Sequence, residues 1–151
     1  MRVALQEAKA AAQKGEVPVG AVVMRGDEIV AQAHNRIIQN NDPTAHAELL
    51  VIRLATQALN TRWLSDCALY VTLEPCAMCA GAMVLARLEN LVFGAFDSKT
   101  GACGSLRNIV ADPRLNHRMD VTSGVLEAEC GQLLKGFFSG LRQKKATQQK
   151  A

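Results

Sequence analysis

The sequence predicts an α/β fold, a mixed sheet of five strands covered by helices on both faces. Two observations carry this expectation: a β-hairpin near the start, and after it a regular alternation of strand-like and helical runs. The length of 151 residues is compatible with one substantial core, and 49% hydrophobic against 21% charged residues is ordinary for a globular chain.

Arg2 to Lys14 is alanine-rich, with Val3, Leu5 and Ala8 at helical spacing and Gly15 as the stop, so a first helix is expected there. Gly20 to Met24 and Glu28 to Ala33 are β-rich runs around Arg25-Gly26-Asp27, which reads as the hairpin. Asn40-Asn41-Asp42-Pro43-Thr44 is turn chemistry, with Thr44 as the expected N-cap of a helix from Ala45 to Leu59. Ala68 to Leu73 is a strand that Glu74-Pro75 ends, and Cys76 to Arg87 is a helix with Pro75 at its entry. Asn90 to Ala95 is a further strand, followed by a Gly-containing loop through Gly104. Asp120 to Val125 reads as a short last strand, and Glu127 to about Lys145 as a last helix weakened by Gly136 and Gly140.

No repeat interrupts this order, so residues 1–151 read as a single domain ending in a basic tail, 144–151, that is expected to fray. No apolar run approaches the roughly 18 residues that a membrane span requires. The segment from Met1 to Lys9 is charged and amphipathic, unlike a secretory signal, which predicts a cytoplasmic protein. Net charge is +3, and Lys135, Arg142, Lys144, Lys145 and Lys150 concentrate the excess after Cys130, where no acid follows. Such a tail is either a solvated end or a surface for a polyanion.

Five cysteines are an odd number without a disulfide framework, so reduced thiols are expected. Cys67, Cys103 and Cys130 read as packing thiols. Cys76 and Cys79 differ, because they stand one helical turn apart and pair with a distant His46-Ala47-Glu48. One imidazole and two thiolates make three zinc ligands, and catalytic zinc keeps its fourth position for water, whereas structural zinc is closed by four protein ligands. Glu48 cannot share the direction of His46 on a helix, yet it can reach a metal-bound water, and so reads as a general acid/base. The alternatives are a redox pair or half of a zinc ribbon. A ribbon would want a second cysteine pair, which the chain lacks.

Longer stretches are also distinctive: Glu16-Val17-Pro18-Val19-Gly20-Ala21, Asp42 through Glu48, Thr72 through Met83, Asp97-Ser98-Lys99-Thr100-Gly101 and Asn116-His117-Arg118. From about Arg2 to Arg142 the chain resembles the bacterial tRNA-specific adenosine deaminases of the cytidine deaminase superfamily. His-x-Glu with Pro-Cys-x-x-Cys is the mark of zinc-dependent nucleobase deaminases in general. The Asp-x-Lys-Thr-Gly loop and Asn116-His117-Arg118 are the narrower signals.

The resemblance implies a three-layer α/β/α cytidine-deaminase-like fold, a homodimer, and conversion of wobble adenosine to inosine in a tRNA anticodon loop. It implies zinc hydroxide attack at C6, with Glu48 shuttling the proton and no redox or nucleotide cofactor. His46, Cys76 and Cys79 would hold the zinc. The Ala47 backbone and the Asn35 side chain would hydrogen-bond the flipped base against an apolar wall that includes Val17. Lys99, Asn116, Arg118 and Arg142 would meet phosphates and anticodon-loop groups, Asp97 would accept a ribose 2′-hydroxyl, and Phe138 would lie beside a flanking base. Two rivals are a deaminase of a free base or nucleoside on the same fold and a non-catalytic RNA-binding subunit with structural zinc. The basic tail speaks against the first, and Glu48 against the second.

Overall fold

The structure, a computed structural model, describes residues 1–148. Helix α1 (Arg2–Gln13) buries Ala4, Leu5, Ala8 and Ala11. Its small alanines let it lie almost on the sheet, where a Cβ on Gly20 would sit 2.0 Å from the Ala4 carbonyl oxygen. The helix stops at Gly15, whose φ of +77° favours glycine. There the N–H groups of Gly15 and Glu16 turn back to the carbonyls of Ala12 and Ala11, closing the last turn as the sequence predicts.

The hairpin is β1 (Gly20–Arg25) and β2 (Glu28–His34), antiparallel with a bulge between Val23 and Met24. The chain continues through α2 (Ile37–Asn40), α3 (Ala47–Ala58), β3 (Ala68–Leu73), α4 (Ala77–Leu85), β4 (Asn90–Ala95), β5 (Asp120–Thr122) and α5 (Glu127–Gln148). The five-stranded sheet has the order β2-β1-β3-β4-β5, with β1 antiparallel to β2 and β3, and β3, β4 and β5 parallel. Helices α1 and α5 cover one face and α3 and α4 the other, which is the predicted three-layer arrangement. The larger core lies under α3 and α4 and includes Val51, Leu69, Val71, Met83, Leu91 and Phe93. A smaller cluster of Leu5, Ala95 and Cys130 lies beneath α1 and α5. Among the described residues no helix is long and apolar enough to cross a membrane.

Several boundaries differ from expectation. Thr44 does not cap α3: its N–H and hydroxyl both bond to Asp42 Oδ1 in a local turn, and His46 is the N-cap. Residues 37–40, which carry no helical periodicity long enough to read, form the one-turn α2, closed by Asn41 at φ +48°. Cys76 is the N-cap of α4 and not its first residue, so Pro75 stands one position further out. Strand β5 ends at Thr122, short of the expected Val125, and its three residues are exposed at the sheet edge. Helix α5 continues to Gln148 past the expected end near Lys145, and 149–151 of the basic tail lie outside the described residues.

Topology decides where the chemistry gathers. β3 is followed directly by α4, so the N-terminus of α4 lies at the C-terminal end of β3. β1 runs antiparallel to β3, so its start and the end of β2 lie at that same end, where Gly20 N–H donates to Thr72 Oγ1 at 3.2 Å. The N-terminus of α3 is joined to this edge by a hydrogen bond from Ala47 N–H to Asn35.

Candidate active site

His46 and Cys76 are the N-caps of α3 and α4, and both have extended backbones that turn their side chains out of the helical path. His46 Nδ1 lies 3.8 Å from Cys76 Sγ and 3.5 Å from Cys79 Sγ, and the three donor atoms all fall within 4.8 Å of one another. Hydrogen bonds from Cys79 and His46 pull the Cys76 thiol down to about 3, and that bond pushes the Cys79 thiol up. The same thiolate raises the His46 imidazole. One soft anion beside a nitrogen and a second sulfur, at two positively polarised helix ends, is a donor set that suits a thiophilic cation such as zinc.

Glu48 is 4% exposed, and its Oε2 is the one fully buried side-chain oxygen or nitrogen without a hydrogen-bond partner among the described residues. Burial pushes its carboxyl up to about 7, with a backbone hydrogen bond and the His46 charge acting the other way. A buried oxygen without a partner costs stability unless a ligand, metal-held solvent or a proton completes it, so this orphan fits a metal centre that serves chemistry. A carboxyl poised near neutrality can both take and give a proton at working pH.

Asn35 is buried, and its Oδ1 accepts the Ala47 N–H at 2.9 Å. The two groups expected to hold a base are thus bonded to one another here. Val17 is half-buried against the main core at the same end of the sheet.

The loop after β4 closes back on the metal-ligand turn. Asp97 accepts the N–H groups of Lys99 and Thr100 at 2.9 and 3.1 Å and the Thr100 hydroxyl at 2.6 Å, so it orders its own turn. Burial works against its ionisation, but these bonds hold the carboxyl below the usual range. Lys99 is exposed on that turn.

Asn116 and Arg118 are exposed but are not brought to this centre within one chain. His117 between them donates to the Leu88 carbonyl at 2.6 Å, at the opposite end of β4. A six-residue strand places them about 20 Å along the sheet from the Ala95 end. Phe138 is 42% exposed on α5, edge-to-face with Phe137 at 5.6 Å, and Arg142 bonds Ser139 Oγ one turn away.

Cys67, Cys103 and Cys130 are buried, and burial pushes their thiols up, Cys67 to about 11 and Cys103 to about 12, which fits packing thiols. The sequence reading missed two buried carboxylates. Glu16 accepts the Gln39 N–H at 2.8 Å, and Glu74 collects bonds from the loop after β4. A glutamate before proline at a strand end carries no pattern that separates such an anchor from a surface acid.

The profile of the MafB19-like deaminases matches residues 1–142. The chain is 53% identical over 150 residues to a tRNA-specific adenosine deaminase of Bacillus subtilis, covering 99% of this chain and 93% of that protein. It is 51% identical over 142 residues to the one from Aquifex aeolicus, covering 94% and 93%. A solved structure from studies of A-to-I editing by tRNA:A34 deaminases at the wobble position superposes with a TM-score of 0.86 at 45% identity, covering 89% of this chain and 97% of that one. A guanine deaminase from Nitrosomonas europaea superposes with a TM-score of 0.78 at 26% identity, covering 90% and 81%.

Proposed function

The chain belongs to the MafB19-like deaminase family and is a relative of the tRNA-specific adenosine deaminases, and from that premise we propose that it converts adenosine to inosine at the wobble position of a tRNA anticodon loop. The observation that carries the chemistry is the orphaned, buried Glu48 carboxyl two residues from a His-Cys-Cys donor set. The identity of the base comes from the relatives, since the donor set is common to deaminases of several bases.

Zinc held by His46, Cys76 and Cys79 would supply a Lewis acid that makes water nucleophilic near neutral pH. Glu48 takes the proton of the attacking water at Oε2, delivers it to the adenine ring nitrogen, and passes the second proton to the departing amine. Oxygen joins C6, the bond from C6 to the amino nitrogen breaks, and ammonia leaves. The Asn35 amide, set by the Ala47 N–H that its Oδ1 accepts, offers its Nδ2 to the base edge, and Val17 excludes water from one side.

RNA contacts outside the pocket fall to Asp97, Lys99, Phe138 and Arg142. An anticodon loop suits the site because its bases are unpaired, so extruding one costs less than opening a duplex. A homodimer completes the reading: Asn116 and Arg118 lie too far along the sheet to serve their own chain's centre, and a second copy can present them to the same RNA. A single domain acting in the cytoplasm, where tRNA is met, fits this chemistry.

The test is incubation of the zinc-loaded protein with an anticodon stem-loop RNA carrying wobble adenosine, with inosine measured by nucleoside analysis. Inosine formation is expected. The guanine deaminase likeness defines the competing outcome, which is turnover of free guanine with no change in the RNA.

A further inference from the structure

We propose that Glu74 is a positioning residue that fastens the 97–105 loop to the Cys76 turn, so that the RNA-facing wall and the metal-ligating turn form one rigid unit. This rests on the deaminase reading above for the identity of the ligand.

Glu74 is 2% exposed, and among the described residues no cation pairs with it; its partners are neutral donors from the loop. Oε1 accepts the N–H groups of Cys103 and Ser105 at 3.1 and 2.9 Å. Oε2 accepts the Asp97 N–H at 3.0 Å and the Ser105 hydroxyl. One carboxylate therefore takes bonds from both ends of the loop. The backbone adds a second seam, in which Ala102 N–H donates to the Pro75 carbonyl at 2.8 Å and Gly101 bridges Cys76.

The fit is close. A Cβ at Gly101 would come within 2.5 Å of the Glu74 carboxyl carbon and Oε2, so glycine there is what lets the loop reach the carboxylate. Glu74 stands two residues before Cys76, and Asp97 is the first residue of the loop to bond to it. Freedom at residue 74 would thus pass in one direction to a metal ligand and in the other to Asp97 and Lys99.

All four bonds require an acceptor. In Glu74→Gln the amide nitrogen must face either the two N–H groups at Oε1 or the N–H and hydroxyl at Oε2, and in either orientation it opposes a donor with a donor. The substitution changes shape very little, so its effect isolates the anchoring.

The experiment combines metal content, amide hydrogen exchange and steady-state kinetics on the anticodon stem-loop RNA, for the full chain, Glu74→Gln and Ser105→Ala. Glu74→Gln is expected to keep about one zinc per chain, to speed exchange selectively across 97–105, and to raise KM about tenfold with kcat within about threefold. Ser105→Ala, which removes the hydroxyl bond alone, should move exchange and KM the same way by a smaller factor. Unchanged loop exchange and KM in Glu74→Gln would overturn the proposal, as would a uniform rise in exchange over the whole chain with kcat and KM falling together. If Glu74→Gln does not fold, Ser105→Ala decides alone, and no local exchange change there overturns it. If the unmodified protein makes no inosine, the substrate reading fails while the exchange data still decide whether Glu74 fastens the loop.

Discussion

Asn35 Oδ1 accepts the backbone N–H of Ala47 at 2.9 Å, a bond from the residue that follows β2 to the first residue of α3. The N-cap of α3, His46, makes no side-chain capping bond, so Asn35 does this work from a neighbouring element. The bond fixes the helix start whose next residue is Glu48.

Asn35→Ala should therefore lower stability by about 1 kcal/mol, the usual cost of a lost N-cap or buried hydrogen bond. Urea denaturation followed by circular dichroism checks this, and Asn35→Asp, which keeps the acceptor, should recover most of the loss. If Asn35→Ala is as stable as the unmodified chain, the capping bond carries no weight.

Removal of a metal ligand should act selectively. Cys76→Ala should take zinc from about one per chain to near zero by elemental analysis, because two remaining ligands hold zinc poorly. Cys130→Ala, which removes a buried thiol on the first turn of α5, should leave the zinc in place. Zinc retained in full by Cys76→Ala would remove it from the site.

Acid should open the 97–101 turn before the fold is lost. The Asp97 carboxyl is held below its ordinary range by bonds from Thr100 and Lys99, so the stability they add is present above the unfolded value and is lost as pH falls through the folded one. Amide exchange at Lys99 and Thr100 should accelerate below the usual carboxylate range, after correction for intrinsic rates, and Asp97→Asn should show fast exchange already at neutral pH.

RNA binding should weaken with salt as phosphate contacts release counterions. For the stem-loop, Lys99→Ala or Arg142→Ala should each flatten the plot of log affinity against log salt by about 0.7 if its charge neutralises one single-stranded phosphate. Fluorescence anisotropy over a salt series measures this. A slope identical to that of the unmodified protein would place that side chain off the RNA.

The fold was legible because its signals are local and periodic. The hairpin around Gly26, the strand Ala68–Leu73 and the glycine stop after α1 depend on neighbours in the chain, and they stand where the pattern put them. The metal trio was legible because thiol and imidazole spacing is specific chemistry. Thr44 was misassigned as a cap because its hydroxyl has a nearer partner in Asp42, a competition that residue type alone does not decide. Glu74 and Glu16 were overlooked because a buried carboxylate is identified by donors far away in sequence, such as Ser105 for Glu74. Asn116 and Arg118 were assigned to RNA through the family resemblance alone, and the parallel run of β5 beside β4, which puts them at the far end of the sheet, carries no signal in residue type or spacing.

The central claim is that the buried Glu48 carboxyl moves protons for solvent activated at the His46, Cys76 and Cys79 centre. The most direct test is single-turnover inosine formation by Glu48→Gln, with zinc content measured on the same sample. About one zinc per chain is expected, with the rate lowered at least about 100-fold, the scale of general acid/base catalysis. Melting should be no lower than that of the unmodified protein, since burial penalises the charged carboxylate that the amide replaces. A zinc-loaded Glu48→Gln that forms inosine at the unmodified rate would contradict it.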